Sequence, residues 1–189
     1  MLTLFPIEPN YPNGFFYVPD FITVDEEQEL YKEILHTELL SFHFQGFEAR
    51  RRVASFGYDY SFEKASLSKG KDIPPAFHFL IKKVAAQLSI AAGEFAEVLL
   101  TEYPVGSVIN WHRDAPPFDL IAGISLMSDC NFRLRPYDKA KQSRASIVSV
   151  PVGRRSLYVI QGVARSDWQH SIAPVKQVRY SITVRTLKK

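Results

Sequence analysis

Along the first 20 residues, Pro6, Pro9, Pro12, Gly14 and Pro19 interrupt every run before a period can establish itself, which predicts an extended lead-in. The pattern then turns helical. Thr23 and Glu26 form a capping-box pair in front of Leu30, Ile34 and Leu35, and predict a helix over residues 24–39. A second helix is expected after Pro74 and Pro75, with Phe77, Leu80, Ile81, Val84 and Leu88 on its apolar stripe and Gly93 as its left-handed end. From Glu94 the period drops to two. Glu97–Tyr103, Leu120–Met127, Asn131–Pro136, Ser146–Val150, Ser156–Gln161 and Val178–Thr186 read as strands separated by turn residues. Helices first and many short strands after them predict an α+β chain, mainly β, with a sandwich or barrel-like core.

Composition narrows this. A chain of 189 residues suits one domain and can bury roughly 70% of its unfolded surface, so it needs no disulfide or zinc staple. The 46% hydrophobic and 23% charged content excludes disordered and collagenous classes. Cys130 stands alone, which excludes an internal disulfide; it reads as a core residue in a reducing compartment. No apolar run approaches the roughly 20 residues of a membrane span, and the N-terminus has no basic segment leading into an apolar one. The expectation is a cytoplasmic protein with no membrane contact and no obligate protein partner. The net charge of +3 leans mildly toward anionic partners. Its distribution says more: Arg50-Arg51-Arg52 are consecutive, Arg133 and Arg135 alternate, and Lys139, Lys141 and Arg144 share a polar stretch. Scattered solvated charge is the plain alternative.

His112-Arg-Asp114 puts an imidazole and a carboxylate on one side of an extended segment, within reach of one ion. A second imidazole follows in Asp167-Trp-Gln-His170. Two histidines and a carboxylate make the facial triad of non-haem Fe(II), which leaves open positions for a bidentate cosubstrate and O2. As a short motif this competes with a surface histidine that happens to neighbour an aspartate. Downstream, Arg179, Ser181, Thr183 and Arg185 share one face of a strand whose other face carries Tyr180, Ile182 and Val184. The polar face is either the solvated side of an edge strand or a dicarboxylate site. In the second case two guanidinium forks, roughly 20 Å apart along the backbone at about 3.3 Å per residue, must converge.

In this order and spacing, His112-x-Asp114, His170 and Arg179-Tyr-Ser-Ile-Thr-Val-Arg185 resemble the AlkB family of Fe(II)/2-oxoglutarate dioxygenases. Leu99-Leu-Thr-Glu-Tyr103-Pro-Val-Gly106, Ile124-Ser-Leu126 and Phe132-Arg-Leu-Arg135 are similar as well. The match covers residues 97–187, with a weaker stretch over Arg51–Phe62. It implies one domain over residues 1–189, a double-stranded β-helix (jelly roll) with N-terminal helices supporting the larger sheet, and a substrate lid at about residues 43–73. It also implies that His112, Asp114 and His170 bind Fe(II), that Arg185 meets the metal-chelating end of 2-oxoglutarate, and that Arg179 with Tyr103 holds its distal carboxylate. Thr101 and Ser181 would join them, standing where many members have Asn. With O2, the family oxidises an N-alkyl group on a nucleic-acid base. The hemiaminal then collapses to an aldehyde and the restored base. The partner implied is alkylated DNA, single strands included, or RNA. Pro116 departs from members that carry a base-sensing acid there, and Asp119 is the nearest substitute.

The stretch beside the arginine run completes the reading. Phe56, Tyr58, Tyr60 and Phe62 alternate after Arg50-Arg51-Arg52. They are either a hairpin's core face or a lid in which Arg51 holds phosphate while Phe56 and Tyr58 stack on a flipped base. Trp111 and Trp168 are expected to pack around the metal ligands. Two other functions fit parts of the pattern. One is a related dioxygenase acting on a protein side chain or small molecule; the other is a non-catalytic β-sandwich binding module.

Overall fold

In a computed structural model that describes residues 10–44, 47–61 and 63–189, the extended lead-in holds one regular element: Phe15–Val18 forms strand β1. Helix α1 (Val24–His36) starts with the expected box, Thr23 Oγ1 accepting from the Glu26 amide at 3.1 Å and Glu26 accepting from the Thr23 amide at 2.7 Å. It stops before residue 39 because Thr37 turns extended, and the chain enters the hairpin β2 (Leu40–Phe44) and β3 (Phe47–Ser61), followed by β4 (Ser66–Lys69). A 3-10 turn over Pro75–Phe77 leads into α2 (His78–Leu88). The left-handed residue that ends α2 is Ser89, with φ 55°, and not Gly93, which lies in the 3-10 turn Ala92–Glu94. The apolar stripe runs out at Leu88, so the chain turns there and Ile90 packs against the core.

The second half runs β5 (Phe95–Tyr103), β6 (Ile109–His112), β7 (Phe118–Leu126), β8 (Cys130–Pro136), β9 (Val148–Val152), β10 (Leu157–Ile160), α3 (Gly162–Ser166), β11 (Trp168–Ile172) and β12 (Arg179–Leu187). β9 lies two residues later than its pattern suggested, since residues 144–146 form a 3-10 turn. Its Pro151 is tolerated because β9 is an edge strand.

The larger sheet has the order β1-β10-β7-β12-β5-β3-β2, with β4 paired to β3, and the smaller one β6-β11-β8-β9. All pairings are antiparallel. This is the jelly roll, with α1 and α2 on the outside of the larger sheet. Strand alternation splits the interior in two. Val98, Leu100, Ala122, Ile124, Val159, Ile182 and Val184 face the helices, meeting Leu30, Ile34, Leu80 and Val84. Tyr103, Ile121, Phe132, Leu134, Tyr158, Ile160 and Cys130 lie between the sheets. β12 sits at the centre of its sheet, so its polar face cannot be a solvated edge: Arg179, Ser181 and Thr183 are buried between the sheets. Among the described residues no helix is long and apolar enough to cross a membrane.

Candidate active site

β6 and β11 are neighbours, and His112 stands directly opposite His170 in their ladder. Asp114 follows two residues after His112, off the strand end. Its Oδ1 lies 3.4 Å from His112 Nε2 and 3.5 Å from His170 Nε2, and the three donor atoms all lie within 4.8 Å of one another. Donors sharing one ion with bonds of about 2.1 Å sit roughly 3 Å apart, so the set closes on a metal with little movement. His112 Nδ1 donates to the Asn110 carbonyl at 2.8 Å, which leaves Nε2 free to ligate. The Phe132 ring stacks on His170 at 5.3 Å and 13°. Protonation states match a ligand set. Burial, then neighbouring His112, pushes His170 down to about 4 against the pull of Asp114. Burial alone would raise the Asp114 carboxyl; Arg185 and the two imidazoles outweigh it and hold it well below the usual carboxylate range.

The loop that carries Asp114 is clamped from α3. Arg165, almost fully buried, donates through Nη2 to the carbonyls of Asp114, Ala115 and Phe118 at 3.1, 2.8 and 3.0 Å. Nothing in the sequence pattern marks Arg165, since its partners lie some 50 residues away.

The arginines of β12 behave differently from one another. Arg185 is already neutralised: Nη1 meets Glu97 at 2.6 Å and Nη2 meets Asp114 Oδ2 at 3.2 Å. Glu97, which the sequence reading missed, is itself buried and also accepts from Ser55 Oγ at 3.2 Å. Arg179 is fully buried, and only its Nε is satisfied, by Ser125 Oγ at 2.9 Å. Its Nη1 and Nη2 have no acceptor among the described residues, and the guanidinium lies 4.9 Å from the centre of the Tyr103 ring. Ser181 Oγ lies 3.5 Å from the Tyr103 hydroxyl, and Thr101 is buried opposite Ser181 in the β5–β12 ladder.

Arg185, Thr183, Thr101 and Tyr103 line a cavity of about 140 Å³ together with the metal-site residues and with Phe118, Ile121 and Tyr158; Arg179 does not line it but stands against the Tyr103 ring that does. Burial pushes the Tyr158 phenol up. Its ring occupies space that only a glycine leaves: a Cβ on Gly123 would come within 2.2 Å of Tyr158 Cζ. The two-histidine, one-carboxylate set fits a divalent iron, and the buried guanidinium of Arg179 beside Tyr103, with two nitrogens that no described residue accepts from, fits a carboxylate of a small dicarboxylate.

The lid reading needs correction. Phe56 is 8% exposed and faces the helices, its ring 6.2 Å from that of Phe77, so it is core and cannot stack on a base in this cavity. Tyr58 pairs with Lys69 and lines a surface groove with Asp72, Ile73 and Lys188, on a different side of the molecule. Gly57 is the reason. There the chain leaves β5 for β4 with φ 85°, so close to Ala96 that a Cβ would lie 2.2 Å from its carbonyl oxygen, and the alternation is reset. Beyond it, Tyr60 reaches the cavity instead, together with Phe42 of β2. Phe62 lies outside the described residues. Arg51 does line the cavity, its guanidinium 4.0 Å over the Phe42 ring, whereas Arg52 is paired with Glu102 on the other face. Asp119 is exposed and does not line the cavity. Trp168 packs against the inter-sheet core, but Trp111 points outward.

Residues 14–185 match the model of the 2OG-Fe(II) oxygenase superfamily. The chain belongs to that superfamily. Its relatives place it with the AlkB-type members, and it therefore works with Fe(II), 2-oxoglutarate and O2. It is 26% identical over 191 residues to tRNA (carboxymethyluridine(34)-5-O)-methyltransferase alkbh8 of Xenopus tropicalis, and 26% identical over 192 residues to the alkylated DNA repair protein ALKBH8 homolog of Arabidopsis thaliana. Those matches take in 96% and 90% of this chain but only 29% and 54% of the relatives. Among solved structures, OsALKBH1 superposes with a TM-score of 0.69 at 12% identity, covering 92% of this chain and 96% of that one. A prolyl hydroxylase from Trichoplax adhaerens gives 0.65 at 16% identity, covering 93% and 84%. Both show the shared jelly roll.

Proposed function

We propose that this AlkB-type oxygenase oxidatively removes alkyl groups from nucleic-acid bases, in DNA, single strands included, or in RNA. The observation that carries the reading is the mouth of the cavity, where Phe42, Tyr60 and the Arg51 guanidinium stand together. Flat aromatic rings beside a half-buried cation suit a base and its phosphate. The names of the Xenopus and Arabidopsis relatives, one tRNA-modifying and one concerned with alkylated DNA, support it. A wider groove shares Phe42, Val53, Asp59, Tyr60 and Leu99 with the cavity and offers a way in for the rest of a chain.

In this reading His112, Asp114 and His170 hold Fe(II). Arg179 and Tyr103 hold the distal carboxylate of 2-oxoglutarate, with Thr101 and Ser181 as hydroxyl partners. Arg185 sits at the metal end, where its bonds to Glu97 and Asp114 aim the Asp114 carboxylate at the two imidazoles. Phe118, Ile121, Phe132 and Ile160 keep water from the reacting carbon. The bound iron, 2-oxoglutarate and O2 supply oxidation of the N-alkyl carbon, with decarboxylation to succinate. The resulting hemiaminal breaks its C–N bond, releasing an aldehyde and the unmodified base.

Mass spectrometry of methylated and etheno-adducted oligonucleotides, after incubation with the protein, Fe(II), ascorbate and 2-oxoglutarate, tests it. Restored bases are expected. Succinate formation with every oligonucleotide unchanged would turn the reading toward a protein side chain or a small molecule.

A further inference from the structure

The alternation of Arg133 and Arg135 plays no part in the cavity. β8 sends Phe132 and Leu134 into the inter-sheet core, so the two arginines lie on the outer face of the smaller sheet. There they reach across β11: Arg133 Nε donates to Ser171 Oγ at 3.1 Å and Arg135 Nε to Gln169 Oε1 at 3.0 Å. Both guanidiniums end on one indole, 5.2 and 4.4 Å from the ring centre of Trp111 on β6. Beyond them, Arg113 lies 3.7 Å from the ring centre of Tyr137 and donates to the Ser166 carbonyl at 2.9 Å. Every one of these acceptors is neutral, and none of the three arginines forms an ion pair with a described carboxylate. Lys139, Lys141 and Arg144 follow, exposed, in the next connection.

Solvated surface charges ordinarily stay mobile or find a counter-charge. Here three guanidiniums are fixed in place by a hydrogen bond each and by two aromatic rings, Trp111 shared by Arg133 and Arg135 and Tyr137 under Arg113, and no described carboxylate pairs with them. Fixing them beforehand removes most of the ordering cost of binding an anion. Two residues along a strand span about 6.7 Å, on the order of one nucleotide step of an extended single strand. Trp111 immediately precedes His112, and β6 is the edge strand of its sheet on the metal side, β9 being the other edge. A strand whose reacting base sits at the metal end has only that edge to cross to reach this face.

We infer that the outer face of the smaller sheet, built on Arg133, Arg135 and Arg113 with Trp111 and Tyr137 as their supports, is a second contact for single-stranded nucleic acid. It holds the phosphates that flank the reacting nucleotide. The inference rests on the reading that the substrate is a nucleic acid.

The test is fluorescence anisotropy of labelled oligo-U and oligo-dT with wild type and the Arg133→Gln/Arg135→Gln double variant, between 50 and 200 mM salt. Losing two phosphate contacts should flatten the slope of log affinity against log salt by about 1.4. The salt-induced loss over that fourfold range then shrinks by about sevenfold. Uncoupled 2-oxoglutarate turnover, measured without nucleic acid, should stay at the wild-type rate. Wild-type affinity and slope in the double variant would overturn the inference while leaving the nucleic-acid reading intact. A wild type that binds neither oligomer would remove both. A measurement on the unaltered protein guards against a variant that folds poorly. Photocrosslinking of a 4-thiouridine oligomer should label peptides containing Trp111 or Tyr137, and crosslinks confined to the cavity mouth would again overturn it.

Discussion

Arg179 carries its charge fully buried, with two nitrogens that no described residue accepts from. Such a group costs stability until an anion arrives, so its substitution should separate binding from folding. Arg179→Lys keeps the charge and loses the fork. It should raise the KM for 2-oxoglutarate about 10- to 150-fold, corresponding to a charge-assisted bond of roughly 1.5–3 kcal/mol, while the melting temperature without ligand stays near wild type. Steady-state kinetics and a thermal shift with and without 2-oxoglutarate check both halves. At the other end, His112→Ala or His170→Ala removes one of three metal donors and should abolish uncoupled 2-oxoglutarate decarboxylation together with bound iron, read by turnover and metal analysis. His112 with Asp114, and the polar face of β12, were legible as short spacings, whereas His170, 58 residues downstream of His112, is assigned as the third donor of a facial triad and not from spacing. Glu97, Tyr158 and Arg165 were not legible, because each acts on a partner distant in the chain and only the folded ladder brings them together.

At the level of the element, β3 shows how one residue redirects a face. The alternation of Phe56, Tyr58 and Tyr60 predicts a shared side, and Gly57 breaks it. That glycine was visible in the sequence, where an isolated glycine inside a strand pattern is the signal of a bulge. Phe56→Ala should therefore lower folding stability by about 3–5 kcal/mol and cost the folded protein less oligonucleotide affinity than a change at Tyr60, since Phe56 lines the outer groove but not the cavity. Tyr60→Ala should do the reverse, costing roughly 1–3 kcal/mol of affinity with little change in melting. Urea titration paired with anisotropy distinguishes the two. β12 is the opposite case. Its alternation was read correctly, but whether its polar side met water or the interior depended on its place in the sheet order, which no local pattern encodes.

For the molecule as a whole, the layers are tied together by a buried acid outside the site. Glu27 of α1 is fully buried; it accepts from the Met127 amide at 2.8 Å and from Arg154 Nη2 at 2.5 Å, joining the helix layer to two loops of the larger sheet. Glu27→Ala strands these donors. It should cost about 3 kcal/mol, or roughly 6–12 °C of melting temperature for a chain this size, as calorimetry would show. The overall architecture followed from the sequence because period and punctuation are local. The marginal strands β1, β2 and β4 did not, because short strands at a sheet's margin carry little pattern of their own.

His112 and His170 face each other across a single rung between β6 and β11, and β6 has no neighbour on its other side among the described residues. An ion gripped by both imidazoles thus doubles as a clasp on a four-residue strand that otherwise hangs by one ladder. Stripping the iron with a chelator should loosen that strand locally without unfolding the roll. Hydrogen–deuterium exchange would register it as faster exchange at residues 109–112, against unchanged protection along β5, β7 and β12, and refilling with Fe(II) would close the clasp again.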